Sequence, residues 1–264
     1  MASLKNRPEL LKNGKRLDGR DLIELRTPIK LTAGVVKNAD GSAYLEWGNN
    51  RVIAAVYGPT EAKPKHTADP TKAVIKCRYE MAPFSGLSDH GRTGPNRRAT
   101  EISKVTREAF ENVVLLNEFP GTEIDIYIEI LQSDGGTRAA GITAASVALA
   151  NAGIPMKDLI YAVSFGKVGD SIILDLDMKE DNYSDCDMPM AISPKNGDIL
   201  LLQMDGSLSL QELRAGIQHV IDAGKTISAA QQDALKRFYS DRQQTQQGNG
   251  TGAETGSESL ETTG

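Results

Sequence analysis

The chain has 264 residues, of which 39% are hydrophobic and 25% are charged, and its formal net charge is −5. These values are typical of a globular protein, and no stretch approaches the roughly 18 apolar residues of a membrane span, which excludes a membrane protein. The two cysteines lie far apart and the first residues form no apolar signal core, so we expect a cytoplasmic protein. The three histidines are scattered, which argues against a zinc site.

Apolar runs separated by turn residues predict the elements of the first part of the chain. The predicted strands cover 29–36, 43–47, 52–57 and 73–81, and a helix follows at 97–117. The alternation of Ile124, Ile126, Ile128 and Ile130 predicts a half-buried strand. The small residues of 142–151 then predict a buried helix.

The second part of the chain repeats strands followed by helices. Strands are predicted at 162–168, 172–177, 188–192 and 199–204, and two helices at 210–223 and 228–239. Residues 241–264 are polar, so we expect a disordered tail. The predicted class is α+β, with helices packed against mixed sheets.

Two basic groups stand out against the acidic average. The first, within residues 5–20, contains Lys5, Arg7, Lys12, Lys15, Arg16 and Arg20. The second lies on a loop rich in glycine and proline and consists of Arg92, Arg97 and Arg98. Local basic patches on an acidic protein can bind a polyanion. For any one of these residues, solvated surface charge is the alternative interpretation.

A glycine turn joins the isoleucine strand to the following helix. Gly135 and Gly136 precede Thr137 and Arg138, and a helix that starts at such a turn directs its amides and positive dipole at an anion. The planar guanidinium of Arg138 suits phosphate oxygens. A tight turn that needs glycine only for its positive φ is the alternative.

The predicted helix at 97–117 begins with two arginines. Cations are unfavourable near a helix N-terminus, so Arg97 and Arg98 suggest an anionic ligand that offsets the repulsion. A pairing of Arg98 with Glu101 or Glu108 is the alternative.

A run of carboxylates occupies residues 175–187. Asp187 adjoins the apolar residues 188–192, so part of the run is expected at the edge of the core. A buried carboxylate there would have a raised pKa, or a metal or arginine partner. A solvated acidic turn is the alternative.

This set of residues favours phosphorolysis over hydrolysis. Hydrolysis of a phosphodiester typically needs two metals held by several carboxylates. In phosphorolysis the nucleophile is phosphate itself, so the site must neutralise charge, align the reactants and supply a proton to the leaving oxygen. Arginines, a glycine turn and one or two acids meet those needs.

Several short segments occur in the order that one known family shows. They are 15–20 (KRLDGR), 79–85 (YEMAPFS), 95–98 (PNRR), 101–104 (EISK), 134–138 (DGGTR), 152–156 (AGIPM), 180–181 (ED) and 187–189 (DMP). Together they resemble the RNase PH family, and within it the catalytic subunits of archaeal exosome rings. The resemblance implies the RNase PH fold, which has two related halves of ribosomal-protein-S5-like β-α topology. The halves would be residues 15–155 and 156–240, with a basic extension at 1–14 and the tail at 241–264.

The resemblance also implies an activity, the phosphate-dependent shortening of RNA from its 3′ end with release of nucleoside diphosphates, which can run in reverse as RNA tailing. Inorganic phosphate is then a co-substrate. The residues expected to bind that phosphate are Arg98, Gly136, Thr137 and Arg138. Asp181 would be the essential acid or would hold Mg²⁺ or Mn²⁺ together with Asp187.

Similar proteins bind single-stranded RNA through its backbone, so we expect little sequence preference. Arg97 would bind an RNA phosphate, and Lys65 and His66 would line the RNA entrance. The implied partners are a homologous non-catalytic subunit, in a hexameric ring of three heterodimers, and S1/KH-type cap proteins. The alternatives are a bacterial-type RNase PH that trims tRNA 3′ ends, a non-catalytic RNA-binding ring subunit, and a small-molecule kinase of the S5-like superfamily.

Overall fold

The computed structural model describes residues 8–86 and 96–250, without the side chains of 244–250. Up to residue 151, its elements are β1 (Leu11–Lys12), β2 (Lys15–Arg16), β3 (Ile29–Ala33), β4 (Gly41–Trp47), β5 (Asn50–Glu61), β6 (Val74–Met81), α1 (Arg97–Glu111), β7 (Thr122–Gln132) and α2 (Thr137–Asn151). The remaining elements are β8 (Tyr161–Val168), β9 (Ser171–Leu174), α3 (Met178–Tyr183), β10 (Cys186–Ser193), β11 (Asp198–Leu202), β12 (Asp205–Gly206) and α4 (Leu210–Gly250). Short 3-10 turns occur at Lys65–Thr67 and Leu116–Glu118.

The first sheet has the strand order β3-β4-β5-β7-β6. It is mixed, because β6 pairs parallel to β7 while the other pairs of neighbouring strands in the sheet are antiparallel. In β7 the predicted alternation is confirmed: Ile124, Ile126, Ile128 and Ile130 are all buried. Ile128 lies opposite Ala54 on β5 and Tyr79 on β6, which places it in the middle of the sheet.

The second sheet has the order β11-β10-β8-β9, with β12 added to β10, and all of its pairs are antiparallel. Helix α2 contacts β4 and β5 of the first sheet and β8 of the second. Glycines on both sides permit this close packing: a Cβ on Gly141 of α2 would lie 3.0 Å from Ile128 Cγ2, and one on Gly41 of β4 would lie 2.2 Å from the backbone nitrogen of Ala152. The α+β class with two related sheet-and-helix halves is confirmed.

Helix α1 is shorter than predicted and ends at Glu111 instead of residue 117. Beyond it the chain turns away from the helix, since Val114 forms a bridge with Met156 and the Leu115 amide donates to the Pro155 carbonyl at 3.0 Å. Strand β9 also ends early, at Leu174, because Asp175 adopts the left-handed region with φ 55°.

The prediction of two C-terminal helices was wrong, because α4 is continuous from Leu210 to Gly250. Gly224 lies at the predicted interruption, but it serves close packing, since a Cβ there would lie 2.1 Å from the Tyr161 ring. The helix also includes residues 241–250, which we expected to be disordered. This segment holds arginine and several glutamines, which favour helix, and no proline. Residues 251–264 lie outside the described part of the chain.

The elements that the sequence did not predict include the β1–β2 hairpin, α3 and the short strand β12. Of the predicted N-terminal extension, residues 1–7 lie outside the described chain, and Leu10 is buried against Val168, Ile173 and Leu176. Among residues 8–86 and 96–250, no helix combines the length and apolar character that crossing a bilayer demands.

Candidate functional site

A polar cavity of about 310 Å³ lies where the first turns of α1 and α2 meet α3 and β10. Its lining residues are Arg98, Glu101, Gly136, Thr137, Arg138, Ser164, Asp181, Asp187, Pro189, Gln203, Met204 and Asp205. The structure thus brings together the phosphate-binding residues and the two acids that the sequence predicts. They come from four elements distributed over both halves of the chain.

The start of α2 forms one wall of this cavity. Gly135 and Gly136 both have positive φ, of 68° and 63°, and Gly136 is the N-cap residue. Because glycine has no side chain, no side-chain hydrogen bond caps the helix. The first amides of α2 and the positive end of its dipole are therefore suited to an anion in the cavity.

The glycine turn is held from behind by buried polar side chains. Asn50 donates from Nδ2 to the Gly135 carbonyl at 2.8 Å, and its Oδ1 accepts from the Asp134 amide at 2.7 Å. Arg26, which is buried against Asp175, also donates to the Gly135 carbonyl at 3.3 Å. These bonds fix the turn before any ligand binds, so little ordering is needed on binding.

Thr137 is positioned through its hydroxyl. The buried Tyr79 donates its hydroxyl proton to Thr137 Oγ1 at 2.8 Å. Burial raises the pKa of Tyr79, which keeps this donor protonated. Since Thr137 accepts from Tyr79, its own proton is free to bind an oxygen of a ligand.

Two arginines line the cavity from α1 and α2. Arg138 donates to Gln203 Oε1 and lies 3.5 Å from Glu101 Oε1, and Gln203 Nε2 donates to the same Glu101 oxygen at 2.7 Å. The Nε of Arg138 is buried and has no hydrogen-bond partner among the described residues. Glu101 thus pairs with Arg138, not with Arg98 as one interpretation of the sequence had it.

Asp181 of α3 and Asp187 of β10 form a hydrogen-bonded pair of carboxyl groups. Burial raises the pKa of Asp181, while the positive charge of Arg98 opposes this shift. Burial and then the charge of Asp181 raise the pKa of Asp187 to about 7. Because the charge of Asp181 raises the pKa of Asp187, the pair favours a form that holds one proton near neutral pH.

The acid pair also fits a divalent cation. Asp187 Oδ1 is buried and lacks a hydrogen-bond partner within the described chain. Among the described residues there is no group of three or more histidine, cysteine or carboxylate side chains suited to a metal. A cation would therefore bind to this pair alone and take its other ligands from water and substrate, as Mg²⁺ commonly does at phosphate sites.

The residues expected to bind RNA lie outside the cavity lining. Arg97 is the first residue of α1 and is exposed, directly before Arg98. Lys65 and His66 lie in an exposed 3-10 turn, where Lys65 pairs with Glu61 at 3.1 Å. Arg97 is therefore next to a lining residue in sequence but is not part of the lining, and the other two lie on a separate loop.

The first basic group is only partly a surface patch. Arg16 and Arg20 are 2% and 9% exposed, so these two residues form no polyanion-binding surface. Lys12 and Lys15 are exposed, and Lys5 and Arg7 lie outside the described residues. In the second group, Arg92 lies outside the described residues as well.

Several residues of the cavity lining were not predicted from the sequence, among them Ser164, Gln203, Met204 and Asp205. Ser164 is a buried serine of β8 whose hydroxyl has no hydrogen-bond partner in the described structure. A serine within the apolar run of residues 161–165 was a signal that could have indicated it. Gln203 and Asp205 lie near the short strand β12, and only the fold shows that they reach the cavity.

The sequence matches one protein family over most of its length. Residues 24–155 match domain 1, and residues 158–218 match domain 2, of the 3′ exoribonuclease family, which is the RNase PH family. The chain is 55% identical to the exosome complex component Rrp41 of Thermococcus kodakarensis over 237 residues, which are 88% of this chain and 94% of that protein. It is 54% identical to Rrp41 of Thermoplasma volcanium over 224 residues, or 85% of this chain and 90% of that protein.

Solved structures show the same architecture. The crystal structure of rice (Oryza sativa) Rrp46 superimposes with a TM-score of 0.72 at 26% identity, covering 83% of this chain and all of that one. An Archaeoglobus fulgidus exosome structure with RNA bound to the active site gives a TM-score of 0.72 at 23% identity, covering 82% of this chain and 92% of that chain, and shows a shared fold. By its sequence matches and its fold, the chain belongs to the 3′ exoribonuclease (RNase PH) family.

Proposed function

We propose that the protein is the catalytic subunit of an archaeal-type exosome ring and shortens RNA from the 3′ end by phosphorolysis. The observation that carries this proposal is the joint placement of an uncapped helix N-terminus, two arginines and a proton-sharing acid pair around one cavity. Each of these groups meets one requirement of phosphate attack on a phosphodiester.

In this proposal inorganic phosphate binds against the start of α2. The amides of Gly136 and Thr137, the Thr137 hydroxyl and the guanidinium groups of Arg98 and Arg138 surround it. Their positive charge offsets the repulsion between the attacking phosphate and the RNA phosphate. The fixed turn aligns the nucleophile for in-line attack.

The acid pair supplies the proton. When the P–O bond to the RNA breaks, the leaving ribose oxygen takes the shared proton through Asp181, and the positive charges of Arg98 and Arg138 stabilise the two carboxylates that remain. A pair that shares one proton near pH 7 suits this step, because a general acid works best with a pKa near the working pH. In the tailing direction the ionised pair takes the proton back from the 3′-hydroxyl.

Mg²⁺ or Mn²⁺, when bound, supplies further neutralisation of phosphate charge. Asp181 and Asp187 would hold it, with the unpartnered Asp187 Oδ1 as one ligand atom. The proton-sharing form of the pair and a metal-bound form exclude each other, since a metal ligand must be ionised.

In this proposal the protein binds RNA through contacts to the RNA backbone. Arg97 binds an RNA phosphate beside the cavity, and Lys65 and His66 bind RNA at the entrance of the ring. Such contacts are independent of the base, so the enzyme has little sequence preference.

The proposed assembly is a cytoplasmic hexameric ring of three heterodimers with a homologous non-catalytic subunit, and with S1/KH-type cap proteins that deliver RNA. The similarity to archaeal proteins named as exosome components supports this over a bacterial-type RNase PH. The acid pair and both phosphate arginines in one cavity support a catalytic role over a non-catalytic ring subunit or a kinase.

The test uses the protein co-expressed with its presumed partner. Single-stranded RNA with a free 3′ end is incubated with and without inorganic phosphate, and the released nucleotides are identified. We expect nucleoside diphosphates only with phosphate, and none from Asp181→Ala. Monophosphates released without phosphate would mean hydrolysis and contradict the mechanism, and RNA binding without any product would favour a scaffold role.

A further inference from the structure

The guanidinium of Arg16 is buried and makes most of its hydrogen bonds to the segment that carries the acid Asp181. The Arg16 side chain is 0% exposed and that of Glu180 is 3% exposed. Arg16 Nε donates to Glu180 Oε1 at 2.7 Å, and Nη2 donates to Glu180 Oε2. The same guanidinium also donates to the backbone carbonyls of Leu174 and Asp175. One side chain thereby joins the end of β9 to α3.

Glu180 connects this arginine to the first turn of α3. Asp177 and Glu180 form a capping box: Asp177 accepts from the Glu180 amide at 2.9 Å, and Glu180 accepts from the Asp177 amide at 2.9 Å. Asp181 is the next residue, and its amide donates to the Asp177 carbonyl at 2.8 Å. Glu180 is thus bonded both to Arg16 and to the cap of the helix that presents Asp181.

Helix α3 depends on these contacts for its orientation. It contains six residues, and an isolated helix of that length is not stable in water. Successive residues of a helix are rotated by about 100° about its axis, so even a modest rotation of α3 would turn Asp181 away from Asp187. The orientation of α3 must therefore come from its partners outside the helix.

We infer that Arg16 is a positioning residue, which acts through Glu180 to hold Asp181 against Asp187 and Arg98. The inference rests on the proposed function, since it assigns a role in the same reaction. A buried ion pair gains little net stability over apolar residues of similar volume, whereas its geometry is strict. On that ground the pair contributes more to the placement of the acid than to folding.

The test compares kinetics with stability in the intact ring. The variants are Arg16→Met, Arg16→Lys and the double variant Arg16→Met with Glu180→Met, which removes both buried charges. As a matched control, Gln231→Met removes two buried hydrogen bonds, from Nε2 to the carbonyls of Thr143 at 3.1 Å and Ile160 at 2.8 Å. Gln231 lies on α4, outside the cavity lining. Initial rates are measured over a range of phosphate concentrations. The stability of each variant is measured separately as the midpoint of unfolding by denaturant.

For Arg16→Met we expect kcat to fall roughly 100-fold, as a misplaced catalytic group implies, with the KM for phosphate within about twofold of wild type. The kcat of Arg16→Lys should lie between those of wild type and Arg16→Met, because lysine keeps the charge but not the bidentate geometry. The double variant should recover the midpoint of unfolding only in part, because it also removes the acceptor of the Asp177 amide, and its kcat should stay low. Gln231→Met should lower the midpoint and leave kcat unchanged.

A merely structural role predicts that kcat recovers together with stability in the double variant, and that result would overturn the inference. A kcat within twofold of wild type in Arg16→Met would overturn it as well. If Arg16→Met does not assemble, the double variant alone decides between these outcomes. A wild-type ring that releases no diphosphates would instead contradict the proposed function, which keeps the two failures distinct.

Discussion

The substitution Gly135→Ala tests whether the glycine turn is a built anion site or only a turn. Gly135 has φ 68°, and a Cβ there would lie 2.5 Å from the carbonyl carbon of Asp177 and 2.7 Å from the carbonyl oxygen of Leu176. These are backbone atoms, which cannot rotate away as a flexible side chain could. The turn or the segment before α3 must therefore move.

The cost follows from two separate effects. An alanine in the left-handed region costs about 1–2 kcal/mol, and overpacking of this kind adds typically about 1–3 kcal/mol. We expect Gly135→Ala to lose about 2–5 kcal/mol of unfolding free energy. Gly169→Ala is the matched control: its φ is 59°, but a new Cβ would meet no atom within 4 Å. Gly169→Ala should lose only the unfolding free energy that an alanine in the left-handed region costs, about 1–2 kcal/mol.

Denaturant unfolding gives the free energies, and phosphorolysis at varied phosphate concentration gives the functional effect. A displaced turn should weaken at least one charge-assisted hydrogen bond, worth about 1.5–3 kcal/mol, so the KM for phosphate should rise about 10-fold or more in Gly135→Ala. Gly169→Ala should leave that KM unchanged. Equal stability of the two variants, or an unchanged KM in Gly135→Ala, would refute the reasoning.

Three further predictions concern charge in the site and at the cysteines. Because the folded protein holds a proton on Asp187 up to about pH 7, its stability should fall as the pH rises from the ordinary value of 3.8 towards 7. Asp187→Asn should therefore unfold at a higher denaturant concentration than wild type at pH 8, although it loses activity. The difference between the two midpoints should be smaller at pH 5, and a difference that does not change with pH would contradict this prediction. Arg138→Ala should raise the KM for phosphate about 10- to 150-fold with RNA affinity nearly unchanged in a binding titration, given about 1.5–3 kcal/mol for its charged hydrogen bonds; an equal loss of RNA affinity would argue for an RNA contact. Burial raises the pKa of Cys77 to about 12 and, together with nearby carboxylates, that of Cys186 to about 11, so mass spectrometry should find neither alkylated by iodoacetamide at pH 8 until the chain is denatured.

Local patterns predicted most of the strands and the three parts of the site. The isoleucine alternation of β7 and the glycine turn before α2 each depend only on residues that are neighbours in the sequence. Both could therefore be predicted without knowledge of the fold. The predicted break between the two C-terminal helices was wrong, because the glycine at that position, Gly224, packs against the ring of Tyr161, which lies on a distant strand. The break predicted from local sequence is in fact a close contact between α4 and β8.

The two arginine groups show where sequence reasoning reaches its limit. Both Arg98 and Arg16 belong to basic clusters, and composition alone assigns them the same role. They differ in their surroundings: Arg98 lies in the first turn of α1 and lines the cavity, whereas Arg16 is bonded to a glutamate 164 residues away. Whether a charge faces a ligand cavity or is enclosed by the fold depends on contacts between distant segments. The carboxylate of Glu180 buries Arg16 and also bonds it to the helix that presents Asp181. The contact that makes Arg16 unavailable to a ligand is therefore the reason to expect that its substitution lowers kcat.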